Sequence, residues 1–138
     1  MIVKYILDAC ALTAFLYDEQ GADKVQSVLE DAQSGKVEVF MHKMNILEVY
    51  YNILRSEGEE KAQLFYTQAN ELPITVIDSI SDALFMEAGR LKASYKMSLA
   101  DSIAVAEAAT RRAALLTSDH HEFDLVEDKE DIIFAWIR

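Results

Sequence analysis

The chain has 138 residues, of which 51% are hydrophobic, and its 24 acidic and 13 basic side chains give a formal net charge of −11. This length predicts one domain, residues 1–138, with a substantial core, and the apolar content excludes a disordered chain. The charge argues against a large basic surface for nucleic acid. Apolar runs are shorter than the roughly 18 residues of a membrane span, and the single Cys fits a reducing compartment. We therefore expect a cytoplasmic protein that does not enter a membrane.

The apolar pattern predicts strands and helices that alternate along the chain. The first apolar segment carries Asp8 in its middle, which is typical of a strand followed by a helix and not of a signal peptide. Residues 119–131 hold seven acids and one Lys, and this segment is interpreted as a solvated loop. In chain order the predicted elements are a strand over 3–7, helices over 9–17 and 22–32, a strand over 37–41, a helix over 45–55, a helix between Gly58 and Leu72, a strand over 74–77, helices over 81–95 and after Ser98, and strands over 114–117 and 132–137.

This alternation predicts the fold class, because parallel strands need crossover connections and helices usually supply them. The expected architecture is α/β, a three-layer αβα arrangement with a central, mainly parallel sheet and helices on both faces. In such a sheet, ligands bind outside the carboxyl ends of the strands. Residues that follow a strand or begin a helix are therefore the candidates for a site.

Four acids are predicted to lie at that one edge of the sheet. Asp8 directly follows the first strand, and Asp119 comes shortly after the strand over 114–117. Asp101 falls in the first turn of the helix after Ser98, and Glu48 falls in the first turns of the helix after the second strand. Both helices start from the carboxyl edge, so we expect the four side chains to converge although they are far apart in sequence.

Each acid also has a local explanation. Ser98 with Asp101 matches the S-x-x-D capping pattern, Asp8 is placed to cap the first helix, and Asp119 is placed to open a turn. Glu48 fits an exposed helical position. These explanations do not account for the gathering of all four at one edge, where carboxylates repel one another unless protons or a cation neutralise them.

A divalent cation would relieve that repulsion, and Mg²⁺ or Mn²⁺ is the expected ion because both bind oxygen ligands. Zn²⁺ is less suited, since the Cys and His residues show no paired ligand spacing. The sequence has neither a Gly-rich phosphate loop nor a Ser-His-Asp signature. The chemistry indicated is attack on a phosphodiester bond by a water molecule that is activated at a carboxylate-bound metal. The Cys and His residues concerned are Cys10, His42, His120 and His121.

Four motifs carry these acids: YILDACAL with Asp8, MNILEVYYNILR with Glu48, MSLADSIAVAEA with Asp101 and LLTSDHHEFD with Asp119. In sequence, order and rough spacing they resemble the motifs of the PIN domain and, within it, of the VapC-like toxins of type II toxin–antitoxin pairs. The resemblance covers nearly the whole chain and implies a PIN-like fold. It implies a metal-dependent endoribonuclease that acts on RNA, is often a homodimer and is held inactive by a cognate antitoxin.

The resemblance also assigns roles to residues. Asp8 and Asp101 are implied to be direct ligands of Mg²⁺ or Mn²⁺, Glu48 to complete the site through metal or water, and Asp119 to lie at its edge or to hold a second ion. Thr117 stands where the family often has a hydroxyl that orients a carboxylate or water. As a β-branched strand residue, Thr117 is equally well explained by packing.

The chain departs from the family at Cys10, where relatives commonly have Ser, and the interpretation there is a small buried apolar side chain. Asp124 is assigned to the solvated acidic segment. Some basic residues are candidates for RNA backbone contacts, and some aromatic residues for core packing or for a groove that binds a second copy or the antitoxin. These are Lys43, Arg55, Arg90, Lys92 and Lys96, and Tyr50, Tyr51, Phe65 and Tyr66.

Two other function classes compete with a nuclease. One is a PIN-like module that binds RNA or a protein partner without cutting, and the four intact acids favour catalysis over it. The other is a phosphoacceptor domain of the receiver type. That class needs an acid pair near the first strand and a Lys after the last one, and the chain has neither.

Overall fold

The computed structural model describes residues 2–138, which form alternating strands and helices. The predicted elements are present in the predicted order, together with one helix that the sequence did not indicate. The elements are β1 (Val3–Leu7), α1 (Ala9–Leu16), α2 (Ala22–Gln33), β2 (Val37–His42), α3 (Lys43–Glu57), α4 (Glu59–Glu71), β3 (Thr75–Ile77), α5 (Asp82–Ser94), α6 (Leu99–Arg111), β4 (Ala114–Thr117), α7 (His120–Lys129) and β5 (Phe134–Trp136).

The five strands form one sheet in the order β3-β2-β1-β4-β5, and every neighbouring pair is parallel. The predicted α/β class with a mainly parallel central sheet is therefore confirmed. β1 is the central strand, with Ile6 paired to Phe40 of β2 on one side and to Leu115 of β4 on the other. Because these strands are parallel, their carboxyl ends lie side by side at one edge of the sheet.

The alternation of side chains along the central strands divides the core between two faces of the sheet. Ile6, Phe40 and Leu115 belong to a cluster that packs against α5, α6 and α7. Their neighbours in sequence, Leu7, Met41 and Leu116, belong to a second cluster that packs against α1 to α4. Both faces are covered by helices, which is the predicted three-layer arrangement and explains why the central strands are apolar on both sides.

Helix α7 corrects the prediction of a solvated loop over residues 119–131. Two residues of this helix, Phe123 and Val126, lie three positions apart and are fully buried. The acids of the helix lie mostly on its opposite, solvated face. Asp119 caps its N-terminus, and Lys129 lies in its last turn. The sequence did not indicate this helix because its apolar face consists of only two buried residues among many charged ones.

His42 explains why α3 begins earlier than the sequence predicted. It ends β2 and is also the N-cap of α3, where its Nδ1 accepts a hydrogen bond from the Met44 N–H at 3.0 Å. Because the strand passes into the helix without a loop, the first turn of α3 stands directly at the carboxyl edge of the sheet. This brings the helix that carries Glu48 close to the ends of β1 and β2.

The chain after β5 packs back against the start of α2. Gly21 adopts a φ of +100°, and a Cβ placed there would lie 2.8 Å from the Ile137 carbonyl oxygen, so this approach requires glycine. Arg138 then donates a hydrogen bond to the Gln20 carbonyl oxygen at 2.7 Å.

Among residues 2–138, none of the helices combines the length and apolar character needed to span a bilayer.

Candidate active site

Asp8 lies at the centre of the candidate site, between the end of β1 and the start of α1. It is the N-cap of α1, and its Oδ1 accepts a hydrogen bond from the Ala11 N–H at 2.8 Å. The residue is only 1% exposed, and this burial raises the pKa of Asp8 to about 7. Hydrogen bonds from Thr117 and Ala11 lower that pKa, while the charges of Asp101 and Asp119 raise it. The capping explanation is therefore correct, but the cap is buried among other acids.

Asp101 lies in the first turn of α6, as predicted. Its N–H donates to the Ser98 Oγ at 3.1 Å, so Ser98 is the N-cap. Burial raises the pKa of Asp101 to about 6, although a hydrogen bond with the Ser98 side chain acts against this rise. Three further carboxylates, those of Glu48, Asp119 and Glu122, also raise the pKa of Asp101 by their charge. A carboxylate in the first turn of a helix that three other carboxylates act on needs an explanation beyond the capping pattern.

Glu48 is half-buried in α3 and belongs to the same group of acids. Burial is the main cause that raises the pKa of Glu48, and the charge of Asp119 is the second. Since Asp119 acts on Asp8, Glu48 and Asp101 alike, it lies within electrostatic range of all three. The structure thus brings the four sequence-predicted acids together at the carboxyl edge of the sheet.

Thr117 joins β4 to this group. It is fully buried, and its hydroxyl serves both Asp8, by a side-chain hydrogen bond, and Asp119, whose N–H donates to Oγ1 at 3.1 Å. Asp119 in turn caps α7, with Oδ1 accepting from the Glu122 N–H at 3.1 Å. Thr117 therefore packs in the sheet and also orients two of the acids, so both of its possible roles are present.

The acids lack neutralising partners in the part of the chain that the structure describes. The ion pairs formed within residues 2–138 involve other carboxylates, and none of them contains Asp8, Glu48, Asp101 or Asp119. Nor do three His, Cys, Asp or Glu side chains of this range stand close enough together to hold a metal ion as they are placed. The donor chemistry, oxygen atoms with unbalanced negative charge, suits Mg²⁺ or Mn²⁺. The residues therefore fit such an ion by their chemistry, although within residues 2–138 no three of them stand close enough to hold it as they are placed.

An open cleft of about 180 Å³ runs beside the acids. Its walls come from α1, α3 and the ends of the chain's last two strands, and they include Cys10, Glu48, Asn52, Ser118 and Arg138. Burial raises the pKa of Cys10 far above its ordinary value, and the charges of the four acids raise it further. The thiol therefore stays protonated and is not an activated nucleophile. Of the four acids, Glu48 lines the cleft directly, while Ala9 and Ser118 of its lining are the sequence neighbours of Asp8 and Asp119.

The family profile of the PIN domain matches residues 5–129, which is most of the chain. The chain belongs to the PIN domain family. No curated protein gives a significant match. The family assignment therefore rests on the domain profile, and solved structures add a comparison of the fold.

Solved structures with the same fold as this PIN domain include chains of toxin–antitoxin complexes. A chain of DNA-bound VapBC from Salmonella typhimurium has a TM-score of 0.75 at 13% identity, covering 99% of this chain and 100% of that chain. A chain of VapBC2 from Rickettsia felis, bound to a promoter DNA fragment, has a TM-score of 0.73 at 16% identity, covering 96% and 98%. VapC20 from Mycobacterium tuberculosis, described as a toxin that cleaves the sarcin-ricin loop, has a TM-score of 0.67 at 12% identity, covering 95% and 98%.

Two charged residues of this PIN domain site were not predicted from the sequence. Glu122 acts on Asp101 as a fifth carboxylate, and Arg138 lines the cleft as its only cation within residues 2–138. Glu122 was hidden because its segment was interpreted as a loop, although its spacing from Asp119 matches a helix start. Arg138 carries no local signal, since only the packing of the last residues against Gln20 brings it to the cleft.

Other residues singled out in the sequence lie away from the acids or serve the fold. Arg90 pairs with Glu87 and Glu130. Arg55 stacks over the exposed Tyr51 ring at 5.4 Å. Asp124 lies on exposed helix surface and contacts the His120 Nδ1 at 2.8 Å. None of the five basic residues proposed for RNA contacts lines the cleft.

The four aromatic residues divide between core and surface. Phe65 is 4% exposed and belongs to the core, whereas Tyr51 is 42% exposed. Tyr50 and Tyr66 pack edge to face, with ring centroids 6.3 Å apart, and line a groove between α3 and α4. This groove, of about 270 Å³, is mostly apolar; Lys43, Ile46, Leu47 and Gln63 complete its lining. Core packing and a surface groove were both predicted, and each applies to part of the set.

Proposed function

We propose that this PIN domain is a divalent-metal-dependent endoribonuclease and the toxin of a type II toxin–antitoxin pair. The observation that carries the proposal is the group of carboxylates formed by Asp8, Glu48, Asp101 and Asp119 at the carboxyl edge of the sheet. Among residues 2–138, no basic side chain pairs with any of them. Carboxylates that lie close together without a counter-charge oppose folding. A cation-binding function explains why the protein nevertheless has this arrangement.

The four acids have two kinds of proposed role. Asp8 and Asp101 are the proposed direct ligands of Mg²⁺ or Mn²⁺, because the Asp8 carboxylate accepts the Ala11 N–H, the Asp101 carboxylate is hydrogen-bonded to the Ser98 side chain, and burial raises the pKa of both. When bound, such an ion activates water and neutralises charge at the phosphate. Glu48, half-buried and facing the cleft, is placed to take up the proton of the attacking water. Asp119 lies at the edge of the group.

Binding of RNA needs positive charge, because phosphate contacts supply most of the nonspecific affinity. Arg138 is placed for such a contact: it lines the same cleft as Glu48, and its side chain is 35% exposed. One of its N–H groups is used by the Gln20 carbonyl oxygen, and its nearest carboxylate oxygen, on Glu19, is 3.8 Å away. We infer that the remaining guanidinium donors bind a phosphate next to the bond that is cut.

A protein partner is part of the proposal. The resemblance of the four motifs and the fold shared with chains of VapBC complexes support a cognate antitoxin as the partner. The groove between α3 and α4, with Tyr50 and Tyr66 in its lining, offers apolar surface for this contact. The homodimer and the cytoplasmic location belong to the same proposal, and an upstream reading frame for a small DNA-binding protein would support it.

Incubation of the purified protein with total RNA tests the function. We expect cleavage products with Mg²⁺ or Mn²⁺, no products in excess chelator, and restored cleavage when the ion is added back. An Asp8→Asn variant purified in the same way controls for contaminating ribonucleases, since a contaminant would remain active in that sample. Cleavage that continues in excess chelator would contradict the metal-dependent mechanism.

The alternative is a PIN module that binds RNA or a protein without cutting. One observation favours it: no three donor side chains within residues 2–138 are close enough to hold an ion as they stand. This alternative predicts that RNA is retained in a filter-binding assay while no fragments form with either ion. The same total-RNA experiment therefore separates the two functions.

A further inference from the structure

Asn45 is a buried polar residue whose side chain has no hydrogen-bond partner. It lies in the first turn of α3 and is only 1% exposed, and neither its Oδ1 nor its Nδ2 is paired. An amide buried in this way opposes folding, because it has lost its bonds to water without replacing them. Asn is also a weaker helix former than Leu, which would fill similar space. Asn45 therefore lowers the stability of the fold in two ways, through its unpaired amide and through its weak helix propensity, and its presence needs an explanation.

The other buried polar side chains do not share this property. His42 contacts the Ser79 carbonyl oxygen at 3.0 Å, the Ser102 hydroxyl donates to the Leu99 carbonyl oxygen at 2.6 Å, and Thr117 serves two acids. Glu107 has one oxygen unpaired, but its other oxygen lies 3.4 Å from the Arg111 guanidinium. Asn45 alone among the buried polar residues of 2–138 has every side-chain polar atom unpaired.

Asn45 lies on the side of α3 that faces the cleft. Three residues of α3 line that cleft, namely Glu48, Val49 and Asn52. Viewed down the helix at about 100° per residue, Asn45 lies about 20° from Asn52, between the directions of Glu48 and Val49. It stands one turn nearer the helix N-terminus than Glu48. Asn45 is not itself part of the lining, and it therefore lies buried beneath the wall of the cleft, on the same side of α3.

The cleft lies at the carboxyl edge of the sheet, where the acids are. α3 begins directly after His42, and the register that pairs Ile6 with Phe40 continues to bring Asp8 beside His42. Asn45 follows His42 by one helical turn. Asn45 thus lies at this edge, between the end of β2 and the turn of α3 that carries Glu48, and its amide is hydrogen-bonded to none of the acids. An acceptor and two donors at this place can serve groups that carboxylates alone cannot, since carboxylates only accept.

We propose that Asn45 is a positioning residue of this site, and the proposal rests on the nuclease function proposed above. Its Oδ1 accepts a hydrogen bond from the water molecule that attacks the phosphodiester, and its Nδ2, which is bonded to none of the acids, is free to donate to a phosphate oxygen of the substrate. In the hydrolysis, the water oxygen bonds to phosphorus, its proton passes to Glu48, and the bond to the leaving oxygen breaks as that oxygen takes a proton from a second water molecule. Asn45 fixes the direction of attack and exchanges no proton.

Three variants test the proposal. Asn45→Leu keeps the size and removes both polar functions, Asn45→Thr restores one hydroxyl, and Asn70→Leu is a matched control on the exposed surface of α4. We expect Asn45→Leu to fold with an unchanged or higher Tm and to lower kcat by about 10- to 100-fold with little change in KM. Asn45→Thr should recover part of kcat, and Asn70→Leu should cut RNA at the parental rate.

A spectroscopic measurement separates this proposal from the nuclease function. The side-chain NH₂ resonances of Asn45 are assigned by their loss in Asn45→Leu and followed while Mg²⁺ is added to the unmodified protein. We expect them to shift while those of Asn70 do not, whether or not the preparation cuts RNA. An unchanged Asn45 signal overturns the proposal, as does an Asn45→Leu protein that loses about 5 °C or more in Tm and retains the parental kcat. Failure of RNA cleavage alone, with the resonance shift present, would instead remove the nuclease function.

Discussion

The Thr117 hydroxyl and the Asp8 carboxylate form a hydrogen bond that connects the ends of two adjacent strands, β4 and β1. Both residues are almost completely buried, and the same hydroxyl accepts the Asp119 N–H at 3.1 Å. Thr117 thus sets the orientation of one acid and the backbone of another. The hydrogen bond also lowers the pKa of Asp8, against the larger effect of burial.

Replacing Thr117 by Val should separate its catalytic contribution from its packing. Val keeps the branched shape, so we expect a loss of about 1 kcal/mol in unfolding free energy, the usual value of a buried hydrogen bond. The rate of RNA cleavage should fall by roughly 10-fold or more because Asp8 loses its orienting donor. Denaturant unfolding and a cleavage time course measure the two effects. Thr110→Val, on exposed surface of α6, is the control and should change neither. Equal activity of the two variants would limit Thr117 to packing.

Asp8→Asn and Asp101→Asn should each abolish cleavage while the protein stays folded or becomes slightly more stable. The amide removes a metal ligand and also relieves repulsion within the group of acids. Cleavage assays and Tm measurements in chelator report the two consequences. Asp128→Asn, on the exposed part of α7, should behave like the parent. Parental activity in either site variant would exclude that residue from the mechanism.

The metal-free protein should lose stability as the pH rises toward neutrality, and Asp8 is the main cause. Its pKa is raised from 3.8 to about 7 in the folded state, so the folded protein holds a proton that the unfolded chain releases between these values. Each pKa unit corresponds to about 1.4 kcal/mol, so the contribution of Asp8 to stability falls by roughly 3 kcal/mol from pH 5 to pH 8.

Urea unfolding of the parent and of Asp8→Asn at pH 5 and pH 8, both in chelator, measures this contribution. The unfolding free energy of the variant should depend less on pH, because it lacks the Asp8 carboxyl and because the titrating groups outside the site are common to both proteins and cancel in the comparison. The advantage of the variant should be largest at pH 8. Parallel pH dependences for the two proteins would show that Asp8 has an ordinary pKa.

Arg138→Gln should weaken RNA binding more than catalysis. Loss of one phosphate contact reduces the dependence of log Kd on log salt concentration by about 0.7 for single-stranded RNA. We expect a higher KM, a similar kcat, and this smaller salt dependence in filter-binding measurements. Arg112→Gln removes the same charge beyond the C-terminus of α6, at the opposite edge of the sheet, and should leave the salt dependence unchanged. Identical slopes for the two variants would place Arg138 outside the RNA contact.

The order of elements and the place of the four acids were predictable because both depend on local sequence. Val3–Leu7 and Ala114–Thr117 are short apolar runs whose ends fix where Asp8 and Asp119 fall, and parallel pairing makes those ends adjacent. Ser98 gives the start of α6 and with it the position of Asp101. The sequence alone thus determined the layers of the fold and the edge at which a site would form.

Only the tertiary structure decided which other residues belong to that edge. Glu122 depends on the burial of Phe123 and Val126, which turned an acidic segment into a helix. Arg138 depends on the close packing of the last residues against Gly21, and Asn45 on the loss of every partner for its amide. Burial and the absence of a partner arise when distant segments pack together, so no local pattern of residues can encode them.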